Sequence, residues 1–142
     1  MMLKNFEIDF HQNIGFNFNG IKIDLHNDYN FESFNYNVAL RQLAVQWQIS
    51  NGDWVRKSLP TTLQLIFYNV SYLQIVKKEV DDYRHDDTTL ERIGYATADM
   101  RNDFDSVIIG QTSTDDDIII FFLNDQSIRI NAESVELIVT ER

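Results

Sequence analysis

Apolar and polar residues alternate with a period of two along most of the chain, which is typical of β-strands with one buried face. The clearest case surrounds Asn19-Gly20, a pair suited to a type I′ turn because both central residues of that turn need a positive φ. A two-residue turn there sets three apolar pairs opposite each other: Phe18 with Ile21, Phe16 with Ile23, and Ile14 with Leu25. The sequence therefore predicts a hairpin over residues 14–25.

The same alternation predicts four further strands before residue 77. Their inward rows are Phe6, Ile8 and Phe10; Leu43, Val45, Trp47 and Ile49; Leu63, Leu65 and Phe67; and Leu73 with Ile75. A two-residue turn at Asn51-Gly52 would place Arg56 opposite Trp47, so we expect a longer loop or a bulge there. A three-residue loop, Asn69-Val70-Ser71, lets Phe67 face Leu73 and predicts a second hairpin.

Near the end of the chain, the run Ile118–Leu123 is apolar on both faces, which favours a strand covered on both sides. A turn at Asn124-Asp125 then sets Phe121 opposite Ile128 and Ile119 opposite Ile130. Val135, Leu137 and Val139 form the last inward row. These elements predict an all-β fold, a two-sheet antiparallel sandwich or open barrel of about nine strands, in a single β-rich domain over residues 1–142.

A short helical excursion around residues 88–104 is the expected exception to the β pattern. Thr88-Thr89-Leu90-Glu91 matches a capping box, and Gly94 would end a helix of one or two turns. Ile93, Met100 and Phe104 are spaced seven and four apart, and we expect them to anchor this excursion to the sheets.

Composition and charge exclude several classes of function. The 142 residues carry twelve Lys and Arg against twenty-two Asp and Glu, a formal net charge of −10, which argues against nucleic acid as a direct partner. The chain has no Cys, so disulfides and thiolate metal sites are excluded. It also lacks the run of about 18 apolar residues that a membrane-spanning helix needs.

The negative charge is concentrated in one segment. Residues 1–80 hold seven acids and seven bases, whereas residues 81–117 hold eleven acids and three bases and so contribute −8. Such a one-sided field speeds the capture of a basic partner, and tyrosine is a frequent interface anchor. The candidate partner-binding residues are Asp81, Asp82, Tyr83, Asp86, Asp87, Asp103 and Asp105.

Two patterns suggest metal or catalytic chemistry. Asn102-Asp103-Phe104-Asp105 begins like a calcium loop but lacks its glycine and its distal glutamate, and Asp115-Asp116-Asp117 is more typical of a solvated strand entrance. An outward row of Glu7, Asp9, His11, Asp24 and His26 resembles a metal or acid–base site, although solvent-facing antiparallel strands commonly carry such residues. We expect no cofactor, no metal and no catalytic residue.

Four aromatic residues among asparagines offer a different alternative. Tyr29, Phe31, Phe34 and Tyr36 lie in a stretch that we expect to be a loop, where they could stack on a sugar. The corresponding hypothesis is a carbohydrate- or cation-binding β-sandwich module that uses Tyr29, Tyr36, Trp47 or Trp54. The interpretation that we favour is that Phe31 and Phe34 fold back and close one end of the core.

Residues 62–75 resemble a pattern found in small bacterial β-proteins. In this pattern an alternating strand reaches Phe67, a tight turn ends in Val70, and Leu73-Gln74-Ile75 follows; residues 128–137 resemble the closing strands of the same proteins. Some of these proteins are classed as immunity proteins of polymorphic toxin systems. The resemblance implies a bacterial, cytoplasmic, non-enzymatic protein that binds another protein.

Three hypotheses about function follow. The leading one is a non-enzymatic protein-binding module, of the toxin-neutralising immunity type, whose acidic face over residues 81–117 binds a basic protein. The carbohydrate- or cation-binding module is the second. A small hydrolase that uses His11 and His26 is the third.

Overall fold

The computed structural model describes residues 1–76, 88–102, 110–111 and 113–141 of the chain, and these residues form an all-β structure. The strands are β1 (Met2–Leu3), β2 (Glu7–Ile8), β3 (Gly15–Phe18), β4 (Ile21–Asp24), β5 (Tyr29–Asn37), β6 (Gln42–Ile49), β7 (Thr62–Val76), β8 (Leu90–Ala96), β9 (Asp117–Phe122) and β10 (Ser127–Thr140). A short 3₁₀ helix, Ala98–Met100, follows β8.

Most of the strands belong to one curled antiparallel sheet with the order β5-β6-β7-β10-β9-β8. Its centre is the pair β7 and β10, which are 15 and 14 residues long and are hydrogen-bonded along nearly their whole lengths. The first four residues of β10, Ser127–Ile130, pair with β9, while further along the same edge β1 pairs with β10 in parallel, with Met2 opposite Ser134. The predicted all-β fold is confirmed.

The smaller sheet, β2-β3-β4, closes the open face of the large one. Its hairpin has the predicted register, with Phe16 opposite Ile23, and both Asn19 (φ 48°) and Gly20 (φ 75°) adopt the positive φ of a type I′ turn. The Phe16 ring meets Trp47 of the large sheet edge to face, with ring centroids 6.2 Å apart. The core therefore lies between the two sheets.

Gly15 sits where the two strands of this hairpin approach each other most closely. A Cβ atom at this position would lie 1.7 Å from the carbonyl oxygen of Ile23, and a backbone atom cannot give way as a flexible side chain can. We expect Gly15→Ala to lower the free energy of unfolding by about 3 kcal/mol, as severe overpacking does. Gly110→Ala is the matched control because no described residue lies within 4 Å of the Cβ atom that it adds. Equal urea midpoints for the two variants would contradict this account of the hairpin.

The inward rows of the predicted strands supply the core. Val45, Trp47, Leu65 and Phe67 are fully buried. The connection after β6 is the expected longer loop and extends to Thr61. Three expectations need adjustment. Ile75 is only partly buried, Phe121 packs in a second cluster on the opposite face of the sheet, and Phe10 is exposed because β2 ends at Ile8 and the chain turns there.

The predicted hairpin between Phe67 and Ile75 is wrong. Residues 62–76 form one continuous strand that pairs with β10, with a bulge where Val70 lies opposite Ala132 and Tyr72 opposite Asn131. Asn69 adopts a positive φ of 52° beside this bulge, which is a conformation that Asn tolerates. The bulge adds one residue to β7, and after it apolar residues of the strand face the core again. A sequence pattern typical of a turn therefore arises here within a single strand.

The register of the last hairpin also differs from the expected one. Phe121 lies opposite Ser127, and Ile119 lies opposite Arg129 rather than Ile130. The connection is a three-residue loop, Leu123–Asp125, in which Asp125 adopts a positive φ of 63°. This arrangement is a common alternative to the two-residue turn, and it moves Arg129 onto the outer face of the sheet.

The helix expected around residues 88–104 is wrong over Leu90–Ala96, where the chain forms β8, and the described residues of this range after it contain only the short 3₁₀ helix Ala98–Met100. This strand pairs with β9, with Ile93 opposite Ile120, and Ile93 and Tyr95 both enter the core. Pairing with a distant buried strand outweighs the local capping-box signal. Of the expected anchors, Ile93 is buried, Met100 is exposed, and Phe104 lies outside the described residues.

The aromatic stretch expected to be a loop is strand β5, at one end of the large sheet. The core-closing interpretation, made for Phe31 and Phe34, holds for Phe31 only. Tyr29 is buried and donates a hydrogen bond from its hydroxyl to the carbonyl of Pro60 (2.7 Å), and Phe31 packs against Trp47 and Phe122. Phe34 is exposed and Tyr36 is half-buried.

Candidate functional site

The acidic segment is described only in part. All seven candidate partner-binding residues lie outside the described residues: Asp81, Asp82, Tyr83, Asp86, Asp87, Asp103 and Asp105. Five other acids of the segment are described. Glu91, Asp99 and Asp115 are exposed, whereas Asp116 and Asp117 are buried.

Asp117 forms the centre of a buried charge network on the outer face of the large sheet. Its carboxylate accepts hydrogen bonds from Arg129 Nε (2.7 Å), from Arg101 Nη2 (2.8 Å) and Nε (3.0 Å), and from Asn131 Nδ2 (2.8 Å). Burial alone would raise the pKa of Asp117, but the hydrogen bonds from Arg101, Arg129 and Asn131 outweigh it and hold the pKa below its usual value. This carboxylate is therefore ionised and neutralised within the fold.

The same network fastens the 3₁₀ helix to the sheet. Arg129 is buried, and its guanidinium also donates to the carbonyls of Thr97 (2.7 Å) and Met100 (3.2 Å). The guanidinium of Arg101 lies 3.8 Å from the centre of the Tyr72 ring. These contacts make Asp117 and both arginines structural, which leaves the exposed acids of the segment as its contribution to the surface.

The three consecutive aspartates lie in different environments. Asp116 accepts a hydrogen bond from the backbone N–H of Ser113 (3.1 Å), Asp117 is held by the arginines, and Asp115 faces solvent. Within the described part of the chain, no group of three or more His, Asp or Glu residues could hold a metal ion. The second half of the calcium-like motif, Asp103 and Asp105, lies outside it.

The histidine row does not exist as one surface. Asp9 is buried because the chain turns after β2; its carboxylate accepts from the His11 backbone N–H (3.0 Å) and lies 3.1 Å from the Lys22 ammonium. His11 is exposed at that turn, while His26 forms a hydrogen bond through Nδ1 with the carbonyl of Leu90. The two histidines are therefore placed in separate structural environments.

A groove of about 880 Å³ lies between β1, β2 and β8, with Phe6, Phe10 and Tyr95 among its lining residues. Burial, together with the charges of Asp116 and Glu7, raises the pKa of Tyr95 to about 12. This phenol therefore stays protonated at neutral pH and can serve as a hydrogen-bonding group but not as a general base.

The aromatic residues named for the carbohydrate hypothesis differ in their exposure to solvent. Tyr29 and Trp47 are buried in the core and cannot touch a ligand, and Tyr36 is half-buried. Trp54 is 67% exposed on the loop between β6 and β7. The sequence analysis named Trp54 but not Gly52, whose backbone lies against the Trp54 ring. The sequence did hold one signal for this glycine: a two-residue turn at Asn51-Gly52 was ruled out, so Gly52 had to have another role.

Comparison with protein families, with curated proteins and with solved structures finds no match to this chain. Among the described residues, no helix is long and apolar enough to cross a membrane. The function of the chain must therefore be inferred from its own residues.

Proposed function

We propose that this chain is a non-enzymatic protein-binding module whose acidic segment, residues 81–117, captures a basic protein. The observation that carries the proposal is the segregation of charge: −8 over these 37 residues, against zero over residues 1–80. A solubility surface needs net charge but does not need it on one segment.

The described part of the segment supports this proposal by showing which acids the fold itself uses. Asp116 and Asp117 are buried, and Asp117 is neutralised by Arg101 and Arg129. Glu91, Asp99 and Asp115 are exposed and remain available to a partner. Asp117 and its two arginine partners together carry a charge of +1, so the field that would attract a basic partner comes from the other acids of the segment.

Exposed carboxylates of this kind act mainly on the rate of association. They attract a cationic surface over a distance of about 8 Å at physiological ionic strength, and they orient the partner before contact is made. Protein partners whose own ligands are polyanions fit best, because a row of carboxylates can occupy the same cationic surface. The resemblance of residues 128–137 to the closing strands of immunity proteins favours a toxin as the basic partner, whereas residues 62–75, which carry the rest of the resemblance, form one strand without the expected turn.

Comparative capture tests the proposal. The immobilised wild-type chain, a variant with Asp81, Asp82, Asp86 and Asp87 changed to Asn, and a control variant are exposed to the same bacterial lysate. The control removes four exposed acids outside the segment: Glu32→Gln, Asp125→Asn, Glu133→Gln and Glu141→Gln. The two variants therefore have equal net charge.

We expect mass spectrometry to identify a basic protein that is retained by the wild type and the control but lost from the segment variant. Because the two variants differ only in where charge is removed, such a result assigns binding to the segment. Equal retention by all three proteins, or equal loss from both variants, would contradict the proposal.

A further inference from the structure

Trp54 is exposed to solvent and yet held in place. Its indole is 67% exposed, and its Nε1–H donates a hydrogen bond to the carbonyl of Asn27 (3.0 Å). The six-membered ring lies against Gly52 so closely that a Cβ at Gly52 would fall 2.1–2.4 Å from three of the ring carbons. One part of the indole ring thus packs against the backbone of Gly52, and the rest of the ring faces solvent.

A fixed and exposed tryptophan is well suited to binding. Ordering a free side chain on association has an entropic cost. Trp54 is already ordered in the folded protein by its contacts with Asn27 and Gly52, so this cost does not arise when a ligand binds. The flat apolar face of an indole also offers a large contact area with a polar N–H at its edge. Trp54 therefore has the properties of a preformed platform.

A groove of about 490 Å³ adjoins this platform at Gly52, which lines it together with the apolar residues Ile49 and Val55, while Trp54 stands at its edge and outside its lining. Its volume lies within the range of roughly 300–1,000 Å³ that is typical of small-molecule sites. The polar side chains that line it are Ser50, Asn51, Asp53, Lys57 and Thr61. Hydroxyl, amide, carboxylate and ammonium groups together supply both donors and acceptors of hydrogen bonds.

The charge around the groove favours a neutral ligand. The charged residues that line the groove are Asp53 and Lys57, and their charges are opposite. Beside the groove, Gln48 of β6 and Thr62 of β7 are hydrogen-bonded to each other (2.9 Å) on the outer face of the sheet. The lining of the groove therefore carries no net charge that would favour a cation or an anion.

We propose that Trp54 and the adjoining groove bind a neutral saccharide. A sugar ring has an apolar C–H face, which stacks on the indole, and a rim of hydroxyls, which exchange hydrogen bonds with Asn51, Asp53 and Lys57. This site is separate in sequence from the acidic segment and does not depend on the proposed capture of a basic protein.

Affinity electrophoresis through gels containing soluble neutral polysaccharides tests the site, with mixed-linkage β-glucan, xylan, galactomannan and amylopectin as probes and heparin as an anionic control. We expect at least one neutral probe to retard the wild type, and Trp54→Ala to weaken that binding by roughly tenfold or more. Phe34→Ala removes another exposed aromatic side chain and should bind like the wild type.

Gly52→Ala separates the position of the ring from its presence. The new methyl group occupies the seat of the indole, whose far end is free to swing into solvent, so we expect weaker binding with a nearly unchanged thermal midpoint. Failure of all four neutral probes to retard the wild type, or retardation by heparin alone, would overturn the proposal. Equal retardation of the wild type and Trp54→Ala would overturn it as well. The proposal would also be wrong if no saccharide bound and Trp54→Ala instead failed to bind a protein that the wild type binds.

Discussion

Replacing Asp117 by Asn is expected to lower the free energy of unfolding by about 4 kcal/mol, within the range of about 3–5 kcal/mol for breaking a buried ion pair from one side. The change leaves the Arg129 guanidinium buried without a counter-charge, since its side chain is only 3% exposed. Arg101 loses the same partner, but it is 31% exposed, and solvent compensates part of that loss.

Urea unfolding of the purified variant measures this effect. Asp115→Asn is the matched control, because it removes an exposed carboxylate two residues away and should change stability by no more than about 0.5 kcal/mol. If Asp117→Asn were as stable as this control, Asp117 would be one more surface acid, and its network with the two arginines would have no structural role.

The same network makes stability depend on pH in a definite direction. Because the folded pKa of Asp117 lies below its usual value, its contribution is fully present above the unfolded pKa of about 3.9 and is lost as pH falls through the folded pKa. Asp9 acts in the same direction: burial alone would raise its pKa, but the His11 N–H and Lys22 lower it. We expect the free energy of unfolding of the wild type to fall below about pH 4, and to fall less steeply in Asp117→Asn.

Phe67→Ala is the second change with a large expected effect. Phe67 is fully buried at the middle of β7, opposite Leu43 on one side and Val135 on the other. Removing its ring loses the transfer free energy and leaves a cavity, at a cost of about 3–5 kcal/mol.

Phe34→Ala provides the comparison for this change, because Phe34 is 39% exposed at the end of the sheet and has less to lose. Both variants are measured by urea unfolding. A cost below about 1 kcal/mol for Phe67→Ala would mean that the core does not pack around this ring.

Local patterns predicted much of this fold because they act between residues close in sequence. Asn19-Gly20 specifies both the turn type and the register of its hairpin, and the rows around Val45 and Phe67 reach the core as their alternation indicated. A strand with one buried face has little freedom of register, since a shift by one residue would expose its whole apolar row.

The errors arose where long-range pairing decides the outcome. Asn69 resembles a turn residue, but its strand continues because β10 offers a partner for all of residues 62–76. The capping box at Thr88 is a real helix signal, and pairing of Leu90–Ala96 with β9 overrides it. A single sequence contains no information on which distant strand is available as a partner.

The candidate functional surfaces, like the fold, were predicted in part. Sequence alone located the acidic segment, but Asp115 and Asp117 look identical in a run of three aspartates, although one is exposed and the other buried. The difference depends on Arg129, which faces outward because the loop at Leu123–Asp125 has three residues rather than two. Trp54 was one of four aromatic candidates until burial separated it from Tyr29 and Trp47.

The most direct test of the proposed function is the association rate measured by surface plasmon resonance against the basic protein that the capture experiment identifies. Wild type, the variant with Asn at positions 81, 82, 86 and 87, and the control with four acids removed elsewhere are compared at low and high salt. We expect the association rate of the wild type and the control to fall severalfold as salt rises, and that of the segment variant to be low at both concentrations, with dissociation rates changing less. Equal association rates for the segment variant and the control, with the same salt dependence, would contradict capture by the acidic segment.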